Sequence, residues 1–213
     1  MPMIVTVLVL GASTLALQAA KQTKRPLAEL RTTEQRMKRI EQALKAYWIT
    51  HSCNSLPDPD TVAPGSAVVP LRELGLQSED ALDAWGRLIT FRYDPPPGGL
   101  SVNVSGTPTP VRWVLISHGP SGLGAWLPGG IQRLPLPAVG NPERDNTQIM
   151  TVEFYQLPTS APTDSDPATS TTHFDDIVRF GEWALNDCAV AGGGSGSGGG
   201  GGPPPPPPPP PPP

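Results

Sequence analysis

The chain lacks the residue groupings that simple catalytic and metal chemistry leaves in a sequence. Its three histidines, His51, His118 and His173, lie far apart, and none has a partner at metal-ligand spacing. There is no nucleophile elbow and no defensible Ser, His and Asp order for acyl transfer. His118, in a glycine loop, reads as a structural histidine, and the protein is not expected to be an enzyme. The first twenty residues, MPMIVTVLVLGASTLALQAA, lack any charge. No basic residue precedes Ile4, which disfavours a cleavable secretory signal. The basic stretch that follows lacks interleaved aromatic platforms, so no nucleic-acid partner is expected. The end of the chain lacks core-forming side chains altogether. Residues 192–202 are glycine with two serines and 203–213 are all proline, a flexible linker followed by a disordered or polyproline II tail.

What remains is enough for one ordinary domain with an appendage. Twenty helical residues span about 30 Å, the thickness of a bilayer core. Residues 1–25 therefore read as an apolar membrane or filament-core helix. Ile4, Val5, Val7, Leu8, Leu10, Leu15 and Leu17 are its candidate assembly face. The small residues Gly11 and Ala12 allow close helix approach. Pro26 is expected to kink or restart the helix. Residues 26–52 then read as an amphipathic helix whose seam is Leu30, Thr33, Met37, Ile40, Leu44 and Tyr47, at spacings of three and four. Glu34 with Lys38 and Glu41 with Lys45 are favourable i,i+4 pairs on its other faces.

Net charge is −4 but uneven. Residues 21–50 carry eight basic and three acidic groups, and residues 51–213 carry seven basic and sixteen acidic ones. A basic stem with an acidic head suggests complementarity within or between subunits, against the plainer reading of two solvated faces. The head, residues 53–191, is rich in Pro, Gly, Ser and Thr and reads as loops and short strands. VVPLRELGL (68–76) predicts a short helical turn. Strands are predicted within DAWGRLITFRYD (83–94), RWVLIS (112–117) and TQIMTVEFYQ (147–156). FDDIVRFGEWALNDC (174–188) predicts a short closing helix, with Asp175 and Asp176 at its positive end. Trp85, Phe91, Tyr93, Trp113, Phe154 and Trp183 are the expected core aromatics. The fold class is α+β: a long N-terminal stem packed on a small antiparallel sheet. Cys53 and Cys188 flank the head. In an exported chain they could form a disulfide, worth at most roughly 5 kcal/mol; otherwise they are two unrelated thiols.

The strings YWITHSCNSLPDPD, VPLRELGL, ALDAWGRLITFRYD, VLISHGPSGLGAW and HFDDIV resemble the type IV pilin and type II secretion pseudopilin superfamily. Asp83, Trp85 and Gly86 match its Asp-x-Trp-Gly turn. Ser117, Gly119, Pro120 and Gly122 match its Ser-x-Gly-Pro-x-Gly loop. Ile4 and Val5 stand where the family has a glutamate. The resemblance implies a structural subunit of a pilus-like or pseudopilus filament that assembles through its N-terminal helix. Its partners would be copies of itself and the inner-membrane assembly machinery. It would lie in the inner membrane before assembly and in a periplasmic or extracellular filament afterwards. The resemblance also makes calcium the one cofactor to consider, with Asp164, Asp166, Asp175 and Asp176 as oxygen donors, although no regular ligand spacing is present. The alternative is a secreted or membrane-anchored binding module that recruits a partner with its proline tail.

Overall fold

The computed structural model describes residues 3–93, 99–130, 133–148, 151–158 and 166–181, with side chains from residue 27 onward. All of them belong to the compact unit Met1–Trp183. Asp164, Trp183, Cys188, the glycine linker and the proline tail lie outside the described residues. So do the side chains of Ile4, Val5, Val7, Leu8, Leu10, Leu15 and Leu17. The fold is mixed α and β, with an N-terminal helix and two small, mostly antiparallel sheets.

Helix α1 spans Met3–Thr50 as one element. The break expected at Pro26 does not end it, because a proline removes a single N–H from the ladder and the neighbouring bonds can hold. From residue 27 its buried stripe is Thr33, Met37, Ile40, Leu44 and Trp48. The steps of four, three, four and four keep these residues on one helical face. Leu30 and Tyr47 flank the stripe and are only half-buried. Tyr47 instead stacks on His51, with ring centroids 3.7 Å apart. Trp48 therefore ends the stripe, one position beyond the expected Tyr47.

The helix closes at Thr50, close to the expected end at residue 52. Cys53 N donates to Trp48 O at 2.9 Å, and Ser52 and Cys53 take left-handed φ values of 55° and 57°. A six-to-one bond over a left-handed residue is the Schellman way of ending a helix, here made without glycine. Cys53 is buried and disulfide-bonded.

After α1 come α2 (Leu71–Leu74), a 3₁₀ turn (Ser78–Ala81), β1 (Thr90–Tyr93), β2 (Ser101–Val104), β3 (Thr107–Pro110) and β4 (Trp113–Ser117). Then follow α3 (Pro142–Asn146), β5 (Glu153–Gln156) and β6 (Ile177–Gly181). The first sheet has the order β1-β4-β6, all antiparallel, with Phe91 opposite Leu115 and Ile116 opposite Val178. The second has the order β3-β2-β5, and its β2–β5 pair is parallel. The single antiparallel sheet of the sequence reading is thus two sheets, one of them mixed. The β2–β3 hairpin had not been read as strands, since TPTP carries two prolines. As the edge of its sheet, β3 tolerates them. The third expected strand is shortened to Glu153–Gln156; before it lies α3, which Asn141 caps by accepting from Glu143 N at 2.7 Å.

The closing helix is the clearest departure. The segment 174–188 was expected to be helical, yet Ile177–Gly181 is a strand. Read with period two, Phe174, Asp176, Val178 and Phe180 alternate with His173, Asp175, Ile177 and Arg179. Phe174 and Val178 enter a core with Leu100, Val102, Val111, Val114, Ile116 and Phe154, and Phe180 packs against it. This core joins residues of both sheets. All five residues of β4 are buried, so that strand is covered on both faces. Of the expected core aromatics, Phe91, Trp113 and Phe154 are buried, while Trp85 and Tyr93 are half-buried. Phe174 is a core aromatic that sequence reasoning did not name.

Candidate metal centre

The two family-like motifs meet in space. Asp83 is buried, and its Oδ1 accepts from Trp85 N at 3.0 Å and Arg87 N at 2.9 Å. This is an Asx-turn closure, and Gly86 supplies the left-handed residue with φ of 79°. Asp83 Oδ2 accepts from Ser117 Oγ at 3.0 Å, which ties the turn to the end of β4. Burial raises the Asp83 pKa above its ordinary value, and the hydrogen bonds from Arg87 N and Ser117 oppose that rise. The turn is also held to α1. Arg36 donates to Leu82 O and Asp83 O at 3.0 and 2.9 Å, Ala84 N donates to Thr33 Oγ1 at 3.0 Å, and Trp85 Nε1 donates to Glu29 Oε2 at 3.0 Å.

Arg87 then reaches across to the glycine loop, donating to Gly119 O and, at 2.9 Å, to Pro120 O. A side-chain carbon at Gly119 would overlap the Asp175 carbonyl oxygen, and one at Gly122 would overlap the Arg87 guanidinium. Both glycines have positive φ. The motif residues Asp83, Trp85, Gly86, Ser117, Gly119, Pro120 and Gly122 therefore form one latch. Its role in this structure is to lock the strand ends and the loop together.

Behind the latch lies a buried polar cluster drawn from three segments. Helix α3 brings Glu143, the glycine loop brings His118, and the chain entering β6 brings His173, Asp175 and Asp176. All five are buried. Ser121 fixes the Asp175 carboxylate, donating from N at 2.7 Å and from Oγ at 3.0 Å. Asn141 Nδ2 donates to Ser170 O and His173 O, each at 2.9 Å, and holds the preceding turn. Asn146 Nδ2 donates to Asp176 Oδ2 at 2.8 Å. Glu143 Oε1 accepts from Asp175 N.

The cluster is not satisfied by its own hydrogen bonds. Glu143 Oε2, His118 Nδ1 and both ring nitrogens of His173 are buried without hydrogen-bond partners. His118 Nδ1 stands 3.6 Å from Asp176 Oδ1, beyond hydrogen-bond reach, and His173 Nε2 stands 3.4 Å from Asp175 Oδ2. Three carboxyl groups face two imidazoles in a low-dielectric site. Burial, with Asp176 nearby, pushes the Glu143 carboxyl up to about 9. Burial also raises Asp176, against the pull of His118.

Glu143, His173 and Asp175 each present one donor atom, and these atoms lie within 4.8 Å of one another. Of the expected calcium donors, Asp175 and Asp176 are in the cluster. Asp166 is exposed and instead closes a turn, accepting from Ala168 N at 3.0 Å. Asp175 and Asp176 do not sit at a helix N-terminus, since strand β6 directly follows them. Sequence reasoning missed Glu143 and His173. Their pairing depends on α3 folding back on the β6 entry, and only the His-x-Asp alternation hinted at it. A cavity beside His118, lined also by Thr90, Gly124, Asn146 and Thr147, has a volume of about 10 Å³, room for about one water.

No protein-family model matches the chain, and neither a curated protein nor a solved structure matches it. Among the described residues, no helix is long and apolar enough to cross a membrane.

Proposed function

We propose that the chain is a structural subunit of a type IV pilus-like or pseudopilus filament, in which N-terminal helices pack together and the head lies on the outside. One observation carries this reading: α1 is a single 48-residue helix whose described hydrogen bonds to the head begin at Glu29. Forty-eight residues make a helix about 72 Å long. Its hydrogen bonds to the rest of the fold run from Glu29 to Glu41, and its buried stripe from Thr33 to Trp48. Leu27, the first residue whose side chain is described, is already 57% exposed. Residues 1–20 carry no charge and suit burial against another surface, which like helices from neighbouring subunits would supply. The finer features of the fold belong to the same proposal: a stem docked on the head, a Cys53–Cys188 bridge closing the head, and a proline tail beyond it.

The buried cluster supports a structural role. The cavity beside it has room for about one water, too little for a substrate. Electron microscopy of the extracellular fraction tests the proposal directly, with helical filaments built of this chain as the expected result. Leu10→Arg places a charge in the packed helix and is expected to abolish the filaments. Normal filaments from that variant, or a mature protein that has lost residues 1–20, would refute the packing role of the helix.

A further inference from the structure

We infer that Glu143, His173 and Asp175 form a zinc site that pins helix α3 to the chain entering strand β6. The inference is independent of the filament reading and rests on three observations.

The first is geometry. One donor atom from each residue falls within a common radius, and the three come from two segments 30 or more positions apart in sequence. The second is the set of unpartnered groups. His173 is 6% exposed and Glu143 is 1% exposed, yet His173 Nδ1, His173 Nε2 and Glu143 Oε2 have no hydrogen bond. An unpaired buried polar atom costs about 1–3 kcal/mol. One His173 ring nitrogen and Glu143 Oε2 offer lone pairs, while the other His173 nitrogen carries the N–H; a nitrogen and an oxygen lone pair in one buried cluster call for a cation. The third is the outer support. Ser121 orients the Asp175 carboxylate through two hydrogen bonds, and Asn141 fixes the His173 backbone while capping the helix that carries Glu143. Metal ligands are held by such second contacts, which set their aim before the ion arrives.

The donor chemistry selects the ion. Calcium and magnesium take oxygen donors, whereas an imidazole with two carboxylates suits zinc, with a water as the fourth ligand. Charge agrees with that choice. A divalent ion cancels the Glu143 and Asp175 carboxylates, and Asp176 keeps His118 as its own neighbour. The site closes a loop between α3 and β6, so its effect is to fix that loop in place.

The test uses the full-length protein, stripped with a chelator and dialysed against zinc, cobalt or calcium. Elemental analysis is expected to find one zinc per chain, and thermal unfolding is expected to shift upward with zinc. Glu143→Gln and His173→Gln should each lower zinc occupancy at least tenfold. X-ray absorption of the zinc-loaded parent protein should show one imidazole nitrogen among oxygen donors, a readout that stands even if neither variant folds. Four results would each overturn the inference. They are no bound zinc, calcium taken in preference to zinc, occupancy unchanged in both variants, and an absorption spectrum without imidazole.

Discussion

Asp83→Ala is the sharpest test of the latch. In the parent protein the Asp83 carboxylate accepts from Trp85 N, Arg87 N and Ser117 Oγ. Alanine leaves all three donors without that acceptor. Trp85 and Arg87 are half-buried, so water can reach their amides. Ser117 is fully buried, and its hydroxyl must find a carbonyl or go unpaired. At about 1–3 kcal/mol for each truly stranded group, the loss comes to about 2–4 kcal/mol. For a domain of this size that is a fall in Tm of roughly 5–15 °C.

Asp83→Asn separates the hydrogen bonds from the charge. Its oxygen still accepts from Trp85 N and Arg87 N, and its amide can donate to the Ser117 hydroxyl. The cost is expected to be smaller than that of alanine, because two of the three contacts are kept and Ser117 Oγ gains a donor in place of its acceptor. The pH dependence has a definite sign. Burial raises the folded pKa of Asp83, so between 3.8 and that raised value the folded state holds more protons than the unfolded one. The contribution of this residue to stability is therefore full at low pH and falls as pH rises through that window. Asparagine removes that slope. Urea unfolding followed by tryptophan fluorescence at several pH values measures all of this. If the alanine variant is as stable as the parent, or the asparagine variant is as damaged as the alanine one, the latch as described is wrong.

Two further perturbations probe the loop and the helix end. Gly119→Ala forces a methyl group onto the Asp175 backbone, which cannot swing away. It should destabilise far more than Gly122→Ala, whose methyl meets the movable end of Arg87; equal losses in calorimetry would contradict the close approach. Cys53→Ser is expected to cost about 2–5 kcal/mol, and a reducing agent should then lower the Tm of the parent but not of the variant. A parent protein indifferent to reductant would show that the disulfide at the end of α1 does not stabilise the fold.

The α1 stripe was the most legible part of the sequence. Met37, Ile40 and Leu44 repeat at helical spacing with charged residues on the other faces, and no other period fits them. Strand β4 was legible for a related reason, since WVLIS is a continuous β-branched and apolar run. The segment from His173 to Gly181 was misread because its apolar residues fit two periods. Phe174, Val178 and Phe180 satisfy a helix face loosely and a strand face strictly, and pairing with β4 decides between them. Strand β3 was missed because its two prolines hide an alternation that a sheet tolerates at its edge, and β2 because SVNV is only four residues long.

The latch residues were named in advance, but only as a pattern. That Asp83 would bond Ser117 could not be read from a separation of 34 positions. The buried cluster was the least legible. Its members were visible as lone residues, and their meeting depends on the tertiary return of the chain, which local spacing does not encode.

The position of β6 has a consequence for the order in which the molecule can be built. Strand β4 is the middle strand of its sheet, and β1, its first neighbour, precedes it closely. Its second neighbour begins at Ile177, 60 positions after Ser117. Until that late stretch has been synthesised, one edge of a strand that is fully buried in the finished fold stays open. An unpaired edge of this kind is a template for pairing with another chain. Distant pairings of this sort are also slow to form. The growing chain thus passes through a stage in which it is sticky along a single line of backbone. A chaperone that caps an exposed strand edge, or delivery of the chain in an unfolded state until residue 181 is available, would protect it at that stage.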